Sequence, residues 1–109
     1  MIASWFDCKA VDAFADTAVA DLVRRVPPPS IDSVGKNTAK RLKSTHDMIF
    51  ARAEAFARTT PLNIYKKARL GNRVKWALRE AGYADDFVDA LTYELVTVIT
   101  LASAARKKS

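Results

Sequence analysis

Apolar residues recur along this chain at alternating steps of three and four, in four separate stretches. That period belongs to an α-helix with one buried face. In the first stretch Cys8, Val11, Ala15, Ala18, Leu22 and Val26 form the stripe, with Asp12 and Asp16 on the other side and Lys9 near them. Ser4 or Asp7 is the candidate cap, and Pro27-Pro28-Pro29 stops the helix, because proline lacks an N–H and clashes with the preceding turn. The predicted helix covers 5–26, and the three prolines read as a short stiff connector.

The second stretch predicts a helix over 33–59. Leu42, His46, Ile49, Ala53 and Phe56 make a seam of bundle type, widened by Phe50 and Ala57. Lys36, Lys40, Lys43 and Arg58 gather on the far side, diluted by Asp47 and Glu54. Thr60-Pro61 then breaks the chain. Proline suits the first position of a helix, so Thr59 or Thr60 is the expected cap of a third helix over 61–81, with Leu70, Val74, Leu78 and Ala81 facing the core. Gly82 is its expected left-handed stop.

The fourth predicted helix covers 85–105. It opens on Asp85 and Asp86, whose charges suit the positive end of the helix dipole. Phe87, Val88, Leu91, Leu95, Val98, Ile99 and Ala102 form its apolar face. Its β-branched segment Thr92–Thr100 has no second strand to pair with, and the helical stripe runs through it. Four helices joined by mostly short links predict an all-α fold: one antiparallel four-helix bundle spanning 1–109 as a single domain.

The length of 109 residues agrees with one domain, and the three glycines argue against a fold of many hairpins. The net charge of +6 invites a polyanionic partner. Its distribution changes that picture: the net charge is −2 over 1–32, +4 over 33–60, +5 over 61–82 and −1 over 83–109. Basic second and third helices are therefore expected beside acidic first and fourth ones, which neutralises part of the excess within the molecule.

The third helix carries the most distinctive chemistry. Tyr65, Arg69, Arg73 and Trp76 fall on one face, flanked by Lys66 and Arg79. Arginine forks match phosphate and carboxylate, and exposed aromatics stack on bases or anchor protein interfaces. These six residues are the predicted interaction face, for a protein or for nucleic acid. A third possibility is a solvated face with arginines lying over the rings. A helix-turn-helix reading of Arg79–Leu91 fails, because the reading helix would open with Asp85, Asp86 and Asp89, which phosphates repel. Leu78 is also bulky for that tight crossing.

Catalytic chemistry finds no support. No glycine-rich phosphate loop, nucleophile elbow or paired His/carboxylate spacing occurs. The single Cys8 and single His46 supply no zinc motif, so no metal or cofactor is expected. Cys8 reads as a small buried hydrophobe, and His46 as a neutral histidine at the seam edge with one hydrogen-bond partner. The lone cysteine fits a reducing compartment, no signal-peptide pattern opens the chain, and Leu95–Ala105 is about half the length of a spanning helix. The expectation is a cytoplasmic, non-catalytic interaction module without a membrane span, which self-associates or docks on another protein. The alternative is sequence-independent nucleic-acid binding by the third helix.

Overall fold

The structure, a computed structural model, describes residues 7–28 and 35–108. They form four helices: α1 (Lys9–Arg25), α2 (Lys36–Thr59), α3 (Ile64–Ala81) and α4 (Asp85–Lys108). No strand occurs among the described residues. The predicted all-helical bundle is the observed fold. Its core holds the whole first stripe, Cys8, Val11, Ala15, Ala18, Leu22 and Val26, and part of the others: Ile49, Ala53 and Ala57 from α2, Leu70, Val74 and Leu78 from α3, and Val88, Leu95, Ile99 and Ala102 from α4. Leu42, His46 and Phe56 of the predicted α2 seam, Ala81 of α3, and Phe87, Leu91 and Val98 of α4 are only half-buried.

The helix ends depart from the expected ones in instructive ways. Ser4 and the predicted start of the second helix at 33 lie outside the described residues. The first helix starts at Lys9 with Cys8 at its N-cap and no side-chain cap there; Asp7, one residue earlier, accepts from the Lys9 N–H at 3.1 Å and so satisfies one donor of the first turn. The third helix starts at Ile64 instead of Pro61. Asn63 displaces the threonines as its cap: the Asn63 side chain accepts from the Lys66 N–H at 2.8 Å, while Thr60 stays extended. A short amide oxygen one residue before the turn satisfies an orphan donor that neither threonine reaches. Gly82 closes α3 as expected, with φ 104°, and its N–H bonds to the Arg79 carbonyl at 3.0 Å. The fourth helix continues past 105 to Lys108.

Successive helices run antiparallel. Phe14 stacks on Phe56 and Asp21 bonds Arg52 between α1 and α2, and Lys75 pairs with Asp89 and Arg79 with Asp85 between α3 and α4. The link from α2 to α3 crosses the bundle, so those two helices stand on one diagonal, and α1 and α4 on the other. Each of the basic helices, α2 (net +4) and α3 (net +5), is thereby flanked by α1 (net 0) and α4 (net −1), the arrangement that minimises like-charge contact. One consequence is that α1 and α3 lie side by side and parallel. Asp12 meets Arg69, Asp16 meets Arg73 and Val26 meets Tyr83, each pair 57 residues apart.

Gly71 sits buried where α3 meets α4, and a Cβ there would come within 3.1 Å of Val96 Cγ2. The missing side chain leaves room for the Val96 methyl at the α3/α4 contact. The most apolar helix is α4. Over Asp85–Ala105 it has the length and the mean hydropathy, 1.4, that a membrane-crossing helix needs. Part of that apolarity fills the bundle core, while Tyr93 and Leu101 stand exposed.

Candidate interaction face on α3

The six residues picked out on the third helix do not share one environment. Arg69 and Arg73 reach sideways to α1. Arg69 donates through Nε and Nη2 to the two carboxylate oxygens of Asp12 at 2.9 and 3.0 Å. Arg73 makes the same fork on Asp16 at 2.8 and 2.9 Å, and its Nη1 lies 3.7 Å from Asp12. Hydrogen bonds from Arg69 hold the Asp12 carboxyl below its usual range, and those from Arg73 do the same for Asp16. Both guanidiniums are correspondingly held above their ordinary values, Arg69 by its bonds to Asp12 and then to Tyr65.

Asp12 and Asp16 therefore line the α1/α3 seam instead of facing away from it. The sequence did contain the signal: two aspartates four apart on one helix match two arginines four apart on another. The spacing alone suits either direction, but Asp12 with Arg69 and Asp16 with Arg73 form together only when the helices are parallel, so the observed forks fix the offset of α1 against α3.

Trp76 and Tyr65 have different surroundings. Trp76 is 60% exposed and Tyr65 38%, and Ile64, which sequence reasoning passed over, is 82% exposed. The Arg79 guanidinium lies over the Trp76 ring at 5.6 Å and also pairs with Asp85 at 3.5 Å. Lys66 is half-buried near the start of the helix. Between the two aromatic rings runs a shallow groove of about 600 Å³, open to solvent, floored by Ala68, Asn72 and Ala77. Its charged rim consists of Asp16 and Glu80 against Arg69 and Arg73, two carboxylates against two guanidiniums. Within a molecule of net charge +6, the groove is electrically balanced.

No protein-family model matches the chain, and neither a curated protein nor a solved structure does so. α3 and α4 form an antiparallel hairpin packed along its length, from Arg79–Asp85 to Gly71–Val96, which is not the open angle of a helix-turn-helix reader.

Two further features lie away from this face. His46 stacks on Phe50 with ring centroids 4.0 Å apart, and its Nε2 is 3.1 Å from Glu94 Oε2 at the α2/α4 seam. That is the seam-edge histidine with a hydrogen-bond partner expected from the sequence. The second feature was not foreseen. Asp21 is 7% exposed and accepts from Arg24 and Arg52, both at 2.7 Å. It borders an apolar cleft of about 340 Å³ between α1 and α2, walled by Phe14, Ile49 and Phe56. Only the position of Asp21 between Ala18 and Leu22, beside the apolar stripe, hinted at its burial.

Proposed function

We propose that this protein is a non-catalytic helical-bundle interaction module of the cytoplasm, and that it docks on protein through the outer face of α3. One observation carries the reading: Trp76 stands 60% exposed beside a groove whose charges cancel. A large aromatic ring left in water next to a depression, with arginine beside it, has the composition of an interface anchor. Ile64 and Tyr65 extend the apolar surface toward the start of the helix.

Nucleic-acid binding by the same strip is the weaker reading. Arg69 and Arg73, the residues that would neutralise phosphates, are each engaged by a carboxylate through two hydrogen bonds. A phosphate would have to displace Asp12 and Asp16 while Glu80 repelled it. The test is a photo-crosslinking residue placed at Asn72, on the floor of the groove. Adducts that survive nuclease and disappear with Trp76→Ala support protein docking. Adducts that nuclease removes transfer the face to nucleic acid, and no adduct at all sinks both readings.

A further inference from the structure

A docking face can be read for the shape of what fills it. The outer surface of α3 carries a projection and a depression on the same side. The projection is Trp76. The depression is the diamond of Tyr65, Ala68, Arg69 and Asn72, spaced i, i+3, i+4 and i+7, which is the four-residue hole that receives a side chain in knobs-into-holes packing. Ala68 and Asn72 are small or short and both exposed, so the centre of the diamond is low. From that centre to Trp76 is about seven or eight residues, or roughly 11 Å of helix rise.

A knob and a hole side by side on one helix complement each other under a single operation. When a second α3 is laid antiparallel across a two-fold axis near Asn72, each Trp76 falls on the other copy's diamond. Such a contact is isologous, the commonest form of self-association. The electrostatics of the strip point the same way. Two carboxylates and two guanidiniums line the groove, so two copies meet there without like-charge repulsion, although each whole molecule carries +6. In the antiparallel arrangement Trp76 of one copy also comes against Arg69 of the other, a cation–π pairing whose guanidinium is already fixed by Asp12.

We infer that the occupant of the α3 face is a second copy of this chain, joined through reciprocal insertion of Trp76 into the Tyr65–Ala68–Arg69–Asn72 hole. This rests on the protein-docking reading of the face and names its partner. The contact is one helix wide, so it belongs to the small, weak class of interfaces.

Two variants isolate the two halves of the fit. Trp76→Ala removes the knob and keeps the hole. Ala68→Arg fills the hole and keeps the knob. Both positions are exposed and both replacements favour helix, so the fold is retained, which circular dichroism and a thermal melt check. Sedimentation velocity over about 1 to 500 μM covers the range of a weak contact. The wild type is expected to pass from monomer to dimer, and each variant alone to weaken association by roughly tenfold or more, the usual cost of truncating an aromatic anchor. Mixing the two variants is the decisive arm. A copy with a knob and no hole fits a copy with a hole and no knob, so the mixture forms a heterodimer that neither variant forms with itself. Added salt strengthens the association slightly, by screening the net charge of the two copies, whereas binding to a polyanion weakens.

A wild type that stays monomeric throughout overturns the inference. In that case the docking reading is decided separately, by whether Trp76-dependent crosslinks to a different protein persist. A dimer indifferent to both variants overturns it too, because the contact then lies elsewhere. Loss in both variants without recovery on mixing overturns the reciprocal geometry.

Discussion

α1 has two long seams, and they are built differently. Toward α3 it is parallel, and the seam is closed by three rungs at a constant offset: two exposed Arg–Asp forks and one interior bond from the Tyr83 hydroxyl to the Val26 carbonyl at 2.6 Å. Toward α2 it is antiparallel, and the seam opens into a cleft of about 340 Å³ above a single buried carboxylate. The difference is traceable to side chains. α3 offers two long arginines at the spacing of the two aspartates. α2 offers Ala55 and Ile49 where the cleft lies, and Arg52 is the side chain that makes a polar bond across it, beside the stacked Phe56 and Phe14. A seam between two helices closes where polar reach matches on both sides, and gapes where one side is short.

The largest effect is expected at the interior rung. Tyr83→Phe leaves the Val26 carbonyl without its donor in a buried setting, and a loss of about 1–3 kcal/mol in urea unfolding is expected. Burial pushes the Tyr83 phenol up to about 12, so this rung remains intact well into alkaline solution. A loss no larger than that of the exposed rungs would show the seam to be uniform instead of anchored at one end. Next in size is Arg52→Ala. It leaves Asp21 with Arg24 alone, and it should cost about 1 kcal/mol in the same assay.

Filling the open seam has the opposite sign. Ala55→Leu places apolar atoms in the cleft beside Phe14 and Phe56, and a gain of about 0.5 kcal/mol or more is expected if the cleft is a packing defect. A loss would mean that α1 and α2 are held apart by their crossing geometry. The smallest effect belongs to the exposed forks and carries a pH signature. Asp12 and Asp16 titrate below their ordinary values in the folded protein. Their contribution is therefore complete above the unfolded carboxylate range near 4, and it is lost as pH falls through the folded values. The Asp12→Asn, Asp16→Asn double variant should be less stable than wild type at pH 7, and the two should converge near pH 2. Raising the salt should narrow the gap at pH 7 as well. A gap independent of pH would mean that shape, not charge, holds the forks.

The stripes that specify the four helices were legible, because burial of one helical face leaves a period that neighbours do not alter. Which helices are neighbours was not legible from those stripes. A stripe records that Leu70, Val74 and Leu78 face inward, but not that α3 lies beside α1 and across the diagonal from α2. Charge carried that information, and it was read as a tendency of segments when it was available residue by residue, in Asp12 and Asp16 against Arg69 and Arg73. The same pairing divides the predicted interaction face, since Arg69 and Arg73 prove to be ties to α1, as Arg79 is to Asp85 on α4. Trp76 has the exposure that its proposed role requires, whereas the groove beside it is lined also by Ala68 and Asn72, residues with no chemical signature of their own. The cap at Asn63 was missed for a related reason: proline and threonine are conspicuous, and the asparagine two residues later makes the better bond.

The constant offset of the α1/α3 rungs also sets an order in time. Contacts within the α3–α4 hairpin, such as Arg79 with Asp85 and Lys75 with Asp89, close short loops, whereas every α1/α3 rung must close a loop of 57 residues. Loop-closure entropy therefore favours the second half of the chain as the first to organise, and α1 becomes registered only once a finished surface awaits it. Run backwards, the same path makes α1 the first helix to leave. In native-state hydrogen exchange its amides should open at a lower free energy than those of α3 and α4, so that the protein lends out its N-terminal helix before it unfolds.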